Sequence, residues 1–162
     1  MNEVAEQVVT ILRDRGWTIA TGESITAGLV ASALAEVPGS SQVLRGGVVA
    51  YQVDIKESVL GVLPGALAQG VVSEQVALAM AQGAAACMGA RIGVGTTGAA
   101  GPDPHDGVAP GNAWVGVWMH GGPDQPPVAR SRFVQAPGDR ARVRDAVAAA
   151  ALEEVRSLLS VS

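Results

Sequence analysis

The sequence predicts a three-layer α/β/α sandwich built on a mixed β-sheet. Three observations carry the prediction. Segments of helical and strand period alternate through the first half of the chain, which is the pattern of βα units with parallel strands. Two apolar strand-like runs come next with no helix between them, adding an antiparallel hairpin. Hydrophobic residues make up 48% of the 162 residues and charged ones 16%, enough to bury a core and to exclude a disordered chain. The length fits one domain over residues 1–162, with no linker or internal repeat.

The elements run in order along the chain. Val4, Val8, Ile11 and Leu12 recur at helical spacing, and Gly16 is placed to end that helix. Trp17 to Thr21 reads as a short strand. Ile25, Leu29, Val30, Ala33 and Leu34 set a helix over Ser24 to Glu36, closed by Pro38-Gly39. Gly46-Gly47 opens a buried strand, Val48 to Tyr51, and a short helix covers Asp54 to Leu60. Ser73 is a good N-cap for a helix from Glu74 to Met88, with Gly89 as its stop. Arg91 to Thr97 is a strand, and the Gly-, Pro- and Asp-rich segment 98–111 is a loop of functional length. Ala113 to Trp118 and Val128 to Val134 form the hairpin, with a loose turn over 121–127. Asp139 to Leu159 is the closing helix, its stripe formed by Val143, Val147, Ala150, Ala151 and Val155.

Composition narrows the function. The formal net charge is −4 and no Lys/Arg-rich run exists, so direct nucleic-acid binding is not expected. The densest basic stretch, Arg140, Arg142 and Arg144, reads as a solvated helix start that is compatible with a small anion. The single cysteine, Cys87, is expected to be buried packing, and its isolation favours a reducing, cytoplasmic setting. No signal peptide and no membrane-spanning run is evident, so no membrane partner is expected. His105 and His120 are the only histidines and stand in no ligand spacing, so no metal and no cofactor is expected.

Gly93 to Gly98 matches G-x-G-x-x-G, but the glycines lie inside a strand, and the next residues, Ala99 to Pro104, cannot open a regular helix. The dinucleotide and P-loop readings therefore fail. Gly22 to Gly28 joins a strand end to a helix start. Ser24 there is either an N-cap or a serine near free backbone N–H groups that can hold an oxyanion or phosphate. Ten of the 11 basic residues are arginine; the one lysine, Lys56, lies close to the one tyrosine, Tyr51. Lys56 is either an ordinary exposed lysine on a short helix, as most lysines are, or one desolvated in a pocket, where it loses its proton readily and can serve a serine as base.

Taken in order, these segments resemble the CinA C-terminal domain family, also called the nicotinamide mononucleotide deamidase family. Gly22-Glu23-Ser24-Ile25-Thr26-Ala27-Gly28 is similar to the family's A-E-S-C-T-G-G segment. The stretch from Val37-Pro38-Gly39-Ser40-Ser41 through Gly46 to Tyr51, Lys56 and Leu60-Gly61-Val62 resembles the next block. Val71 to Glu74, Thr97 to Pro102, Pro110 to Val115 and Gly138-Asp139-Arg140 come after it in family order. Ile25 replaces the usual Cys, Ala27 the first Gly of the pair, and Asp103-Pro104-His105-Asp106 a glycine-rich run.

The resemblance implies an amidohydrolase that turns nicotinamide mononucleotide and water into nicotinate mononucleotide and ammonia. It implies Ser24 as nucleophile and Tyr51 and Lys56 as supporting polar and basic groups, with Thr97, Gly98 and Arg140 holding the nucleotide. Gly28 and Gly46 are counted with the substrate-binding residues, and a homo-oligomer is expected. Three alternatives stand beside this reading: a module that binds a pyridine nucleotide without turnover, an interaction domain linked to competence or DNA damage, and a related amidase acting on another small amide.

Overall fold

The computed structural model describes residues 2–122 and 124–161; Pro123, within the turn expected over 121–127, lies outside them, as do Met1 and Ser162. Strands β1 (Ile19–Glu23), β2 (Leu44–Val49), β3 (Ile92–Gly98), β4 (Asn112–Met119) and β5 (Val128–Gln135) form one sheet in the order β2-β1-β3-β4-β5. β1 runs parallel to both of its neighbours, and β4 runs antiparallel to both of its own. The expected mixed sheet is present. The helices are α1 (Asn2–Arg15), α2 (Leu29–Ala35), α3 (Val53–Ser58), α4 (Pro64–Ala68), α5 (Glu74–Met88) and α6 (Arg140–Leu159). None among the described residues is long and apolar enough to cross a membrane.

The two faces are packed differently. Ile19, Ile92, Val94, Val115 and Val117 point from the sheet into a core shared with α1, α2 and α6. The alternate positions on β3 are Gly93 and Gly95, which turn a bare backbone toward α5. A Cβ on Gly93 would sit 1.8 Å from the Ala81 carbonyl oxygen, and one on Gly95 2.1 Å from that of Ala77. The first two glycines of the G-x-G-x-x-G match therefore serve close helix-to-sheet approach, which explains why they lie within a strand. α5 itself begins and ends where expected: Ser73 Oγ accepts from Val76 N–H, and Gly89 closes the helix in the left-handed region at φ 59°.

Four expectations are corrected. β1 starts at Ile19 rather than Trp17, whose indole instead stacks with the guanidinium groups of Arg15 and Arg91, 4.9 and 4.6 Å from its centroid. β2 ends at Val49, so Tyr51 lies beyond the strand and is half-exposed. α2 starts at Leu29, five residues after Ser24, because Ala27 and Gly28 adopt positive φ. Cys87 is exposed, since the buried stripe of α5 runs through Val76, Ala77, Met80, Ala81, Ala84 and Ala85 and passes beside it. The short helix α4 had no clear signal beyond Pro64, which occupies its first turn.

Candidate active site

The chain leaves β1 toward β2 on one side, then returns past it to β3 on the other. In open α/β sheets, ligands bind in the crevice outside the carboxyl ends of the strands at such a reversal. Three strand ends meet here: Ser24 follows β1, Ala50 and Tyr51 follow β2, and Gly98 closes β3. They border a cleft of about 370 Å³, whose other wall is the 99–105 segment with Arg140. That volume lies in the range of small-molecule sites.

Lys56 comes from α3 and is only 3% exposed. Its Nζ lies 3.1 Å from Ser24 Oγ, 2.8 Å from the Ala50 carbonyl oxygen and 3.0 Å from that of Tyr51. All three neighbours can accept, and no carboxylate pairs with it among the described residues. Desolvation by burial holds its pKa below the ordinary lysine value. A neutral amine keeps two N–H donors and gains a lone pair. With the donors on the two carbonyls, the lone pair is left for the hydroxyl of Ser24.

The Ser24 turn is held from behind by Glu23, a member of the Gly22 to Gly28 motif to which the sequence alone assigns no role. Glu23 is fully buried, and its carboxylate accepts from Thr26 Oγ1 at 2.6 Å, Gly28 N–H at 2.8 Å, Ala31 N–H at 2.9 Å and Val30 N–H at 3.1 Å. It thus satisfies the orphan donors of the α2 N-terminus from outside the helix. The signal that could have found it is a carboxylate closing an otherwise uncharged buried strand. Ser24 is accordingly not the N-cap: its N–H donates to Thr96 O, and Gly28 holds the cap position. The N–H groups of Ile25, Ala100 and Gly101, all lining the cleft, have no hydrogen-bond partner among the described residues.

The remaining expected residues divide. Tyr51 meets Lys56 through its main-chain carbonyl, while its hydroxyl accepts from Arg140 Nη2 at 2.7 Å. Arg140 also donates to Gly101 O at 2.8 Å, tying the two sides of the cleft together. Gly98 lines the cleft, and a Cβ there would meet Ile25 Cδ1 at 2.8 Å and Ala113 Cβ at 2.5 Å. Thr97 is 2% exposed and donates to Val71 O at 2.7 Å, so it pins the segment before α5. Gly28 faces Glu23, and Gly46 lies within β2 against Met88; neither lines the cleft.

Fold and site together define a mixed α/β domain with a serine–lysine pair at the switch point of its sheet. Residues 1–159 match the family model of the CinA C-terminal domain, and the chain belongs to that family. A CinA-like protein of Frankia casuarinae is 44% identical over 154 residues, covering 94% of this chain and 34% of that protein. One from Salinibacter ruber is 43% identical, over 93% of this chain and 35% of its own length. The chain thus spans about a third of the length of these curated relatives. Among solved structures, a CinA superfamily protein from Klebsiella pneumoniae superposes with a TM-score of 0.91 at 28% identity, covering 99% of this chain and 98% of that one. A competence/damage inducible protein from Agrobacterium tumefaciens gives 0.89 at 33% identity, over 97% and 94%.

Proposed function

We propose that this domain is an amidohydrolase converting nicotinamide mononucleotide and water to nicotinate mononucleotide and ammonia. The observation that carries the reading is the buried Lys56 amine, 3.1 Å from Ser24 Oγ with two carbonyls taking its N–H donors. Neutral Lys56 accepts the hydroxyl proton as Ser24 Oγ attacks the carboxamide carbon. The oxyanion is met by the unpaired N–H groups of cleft residues, Ile25 foremost because it adjoins the nucleophile. Lys56 ammonium then returns the proton to the amine as the C–N bond breaks, and ammonia leaves an acyl-serine. In the second half, Lys56 takes a proton from water, hydroxide attacks the ester, and Ser24 is expelled and reprotonated. The acid product ionises to carboxylate.

The substrate assignment draws on the family resemblance and on Arg140. Its guanidinium uses one N–H on Gly101 O and one on Tyr51 Oη, leaving donors for a phosphate in a fork that suits paired oxygens. The test is ammonia release from nicotinamide mononucleotide by the purified protein. Ser24→Ala lowers turnover roughly a thousandfold or more. Lys56→Arg keeps the positive charge but cannot shed a proton, and it is inactive as well. Normal turnover in either variant removes that residue from the mechanism.

A further inference from the structure

We infer that Arg144 is a positioning residue that aims the oxyanion donor beside Ser24. The inference rests on the proposed amidohydrolase activity. Arg144 is one helical turn beyond Arg140 on α6, and the two serve different walls of the cleft. Arg140 holds Tyr51 and Gly101, while Arg144 reaches across to the nucleophile turn. Its Nε donates to Ile25 O and its Nη2 to Thr26 O, each at 3.0 Å. No other side chain bonds these two carbonyls among the described residues.

The consequence comes from peptide planarity, which points each C=O opposite to the N–H of the same unit. Drawing Thr26 O toward α6 turns the Ala27 N–H the other way, and that N–H donates to Ser24 O at 3.1 Å. With Ser24 O so engaged, the N–H of its own peptide unit, that of Ile25, points away from the turn. It is unpaired and belongs to a residue lining the cleft. Glu23 grips the far side of the turn through Thr26 Oγ1 and the Gly28 N–H. Arg144 is thus the clamp on the carbonyls, and Glu23 the clamp on the donors. Arg144 itself touches neither Ser24 Oγ nor the reacting atoms.

The test compares Arg144→Ala and Arg144→Lys with wild type, in ammonia release and in the rate at which a fluorophosphonate labels Ser24 with loss of fluoride. Both reactions develop charge on an oxygen at the same position. Arg144→Ala lowers kcat by about 100-fold, the scale of one lost oxyanion donor, with KM little changed. Added guanidinium restores part of the loss, and Arg144→Lys, with fewer donors, falls between. Unchanged kcat and labelling in Arg144→Ala overturn the inference. So does a loss that tracks the unfolded fraction by circular dichroism and resists guanidinium. If Arg144→Ala does not fold, a Lys variant equal to wild type overturns it instead. Wild type that labels but releases no ammonia sinks only the substrate assignment, and Arg144 is then judged on labelling rates. Wild type inert to both sinks the amidohydrolase reading and this inference with it.

Discussion

Glu23 adjoins Ser24 in the chain and Lys56 meets its hydroxyl, and both are buried without a charged partner among the described residues. Their surroundings differ in kind. Glu23 sits among four donors supplied by one turn and the first turn of α2, so its carboxyl oxygens are satisfied by protein. Lys56 meets two carbonyls and a hydroxyl, and its burial favours the uncharged amine. A buried ionisable group can therefore be a pin or a base. The number and polarity of its partners decide which. Here the pin shapes the turn that carries Ser24, on which the proposed base would act.

The sharpest way to break this contrast is Lys56→Met. Activity falls roughly a thousandfold, within the span of general-base contributions, while stability rises because a desolvated amine is replaced by an apolar chain of similar length. Ammonia release and the urea midpoint check the two signs. Loss of both would make Lys56 a structural residue after all. Glu23→Ala is expected to move stability the other way, costing about 3–5 kcal/mol by orphaning its donors, with Glu23→Gln milder at about 2 kcal/mol. Urea unfolding that leaves Glu23→Ala as stable as wild type would remove its role as pin.

The pH response separates the two groups further. Lys56 binds its proton less readily folded than unfolded. Between its lowered folded value and the ordinary lysine value, the unfolded chain holds more protons, so rising pH stabilises the fold. Below that window the burial cost is present in full. Activity is expected to rise with pH through the same folded value, because the proposed base must be neutral. Wild type should therefore gain stability relative to Lys56→Met across that window; parallel stability curves would contradict the shift. The smallest expected effect is at Ala27, held at φ 48° where an L side chain is strained. Ala27→Gly stabilises by up to about 1 kcal/mol, less its greater entropy loss on folding. A lower melting temperature in that variant would count against strain in the turn.

Much of this was legible in the sequence, and the exceptions share a cause. Local signals located α5 through Ser73 and Gly89, and α6 through Asp139, whose side chain accepts from Arg142 N–H. A lone lysine in apolar surroundings is chemically conspicuous, but it was the ordered family motifs that set Lys56 beside Ser24, where the structure has the two 3.1 Å apart. What escaped depended on distant partners. The periodicity after Ser24 suggested helix, but the buried carboxylate of Glu23 gathers the N–H groups of Gly28, Val30 and Ala31 and delays the helix to Leu29. Tyr51 read as strand because Val48 to Ala50 are apolar, yet the ladder with β1 ends at Val49. The bond from Arg144 to the turn that carries Ser24 spans more than a hundred residues, beyond any local pattern.

The burial of Lys56 also gives the protein an internal gauge of its own breathing. Every other side-chain cation of Lys/Arg type is a guanidinium, so an amine-acylating reagent finds the chain's α-amine and one slow, buried side-chain amine. In intact-mass spectra, the second adduct therefore counts how often the cleft opens. A bound ligand that closes it should slow that adduct and leave the first unchanged.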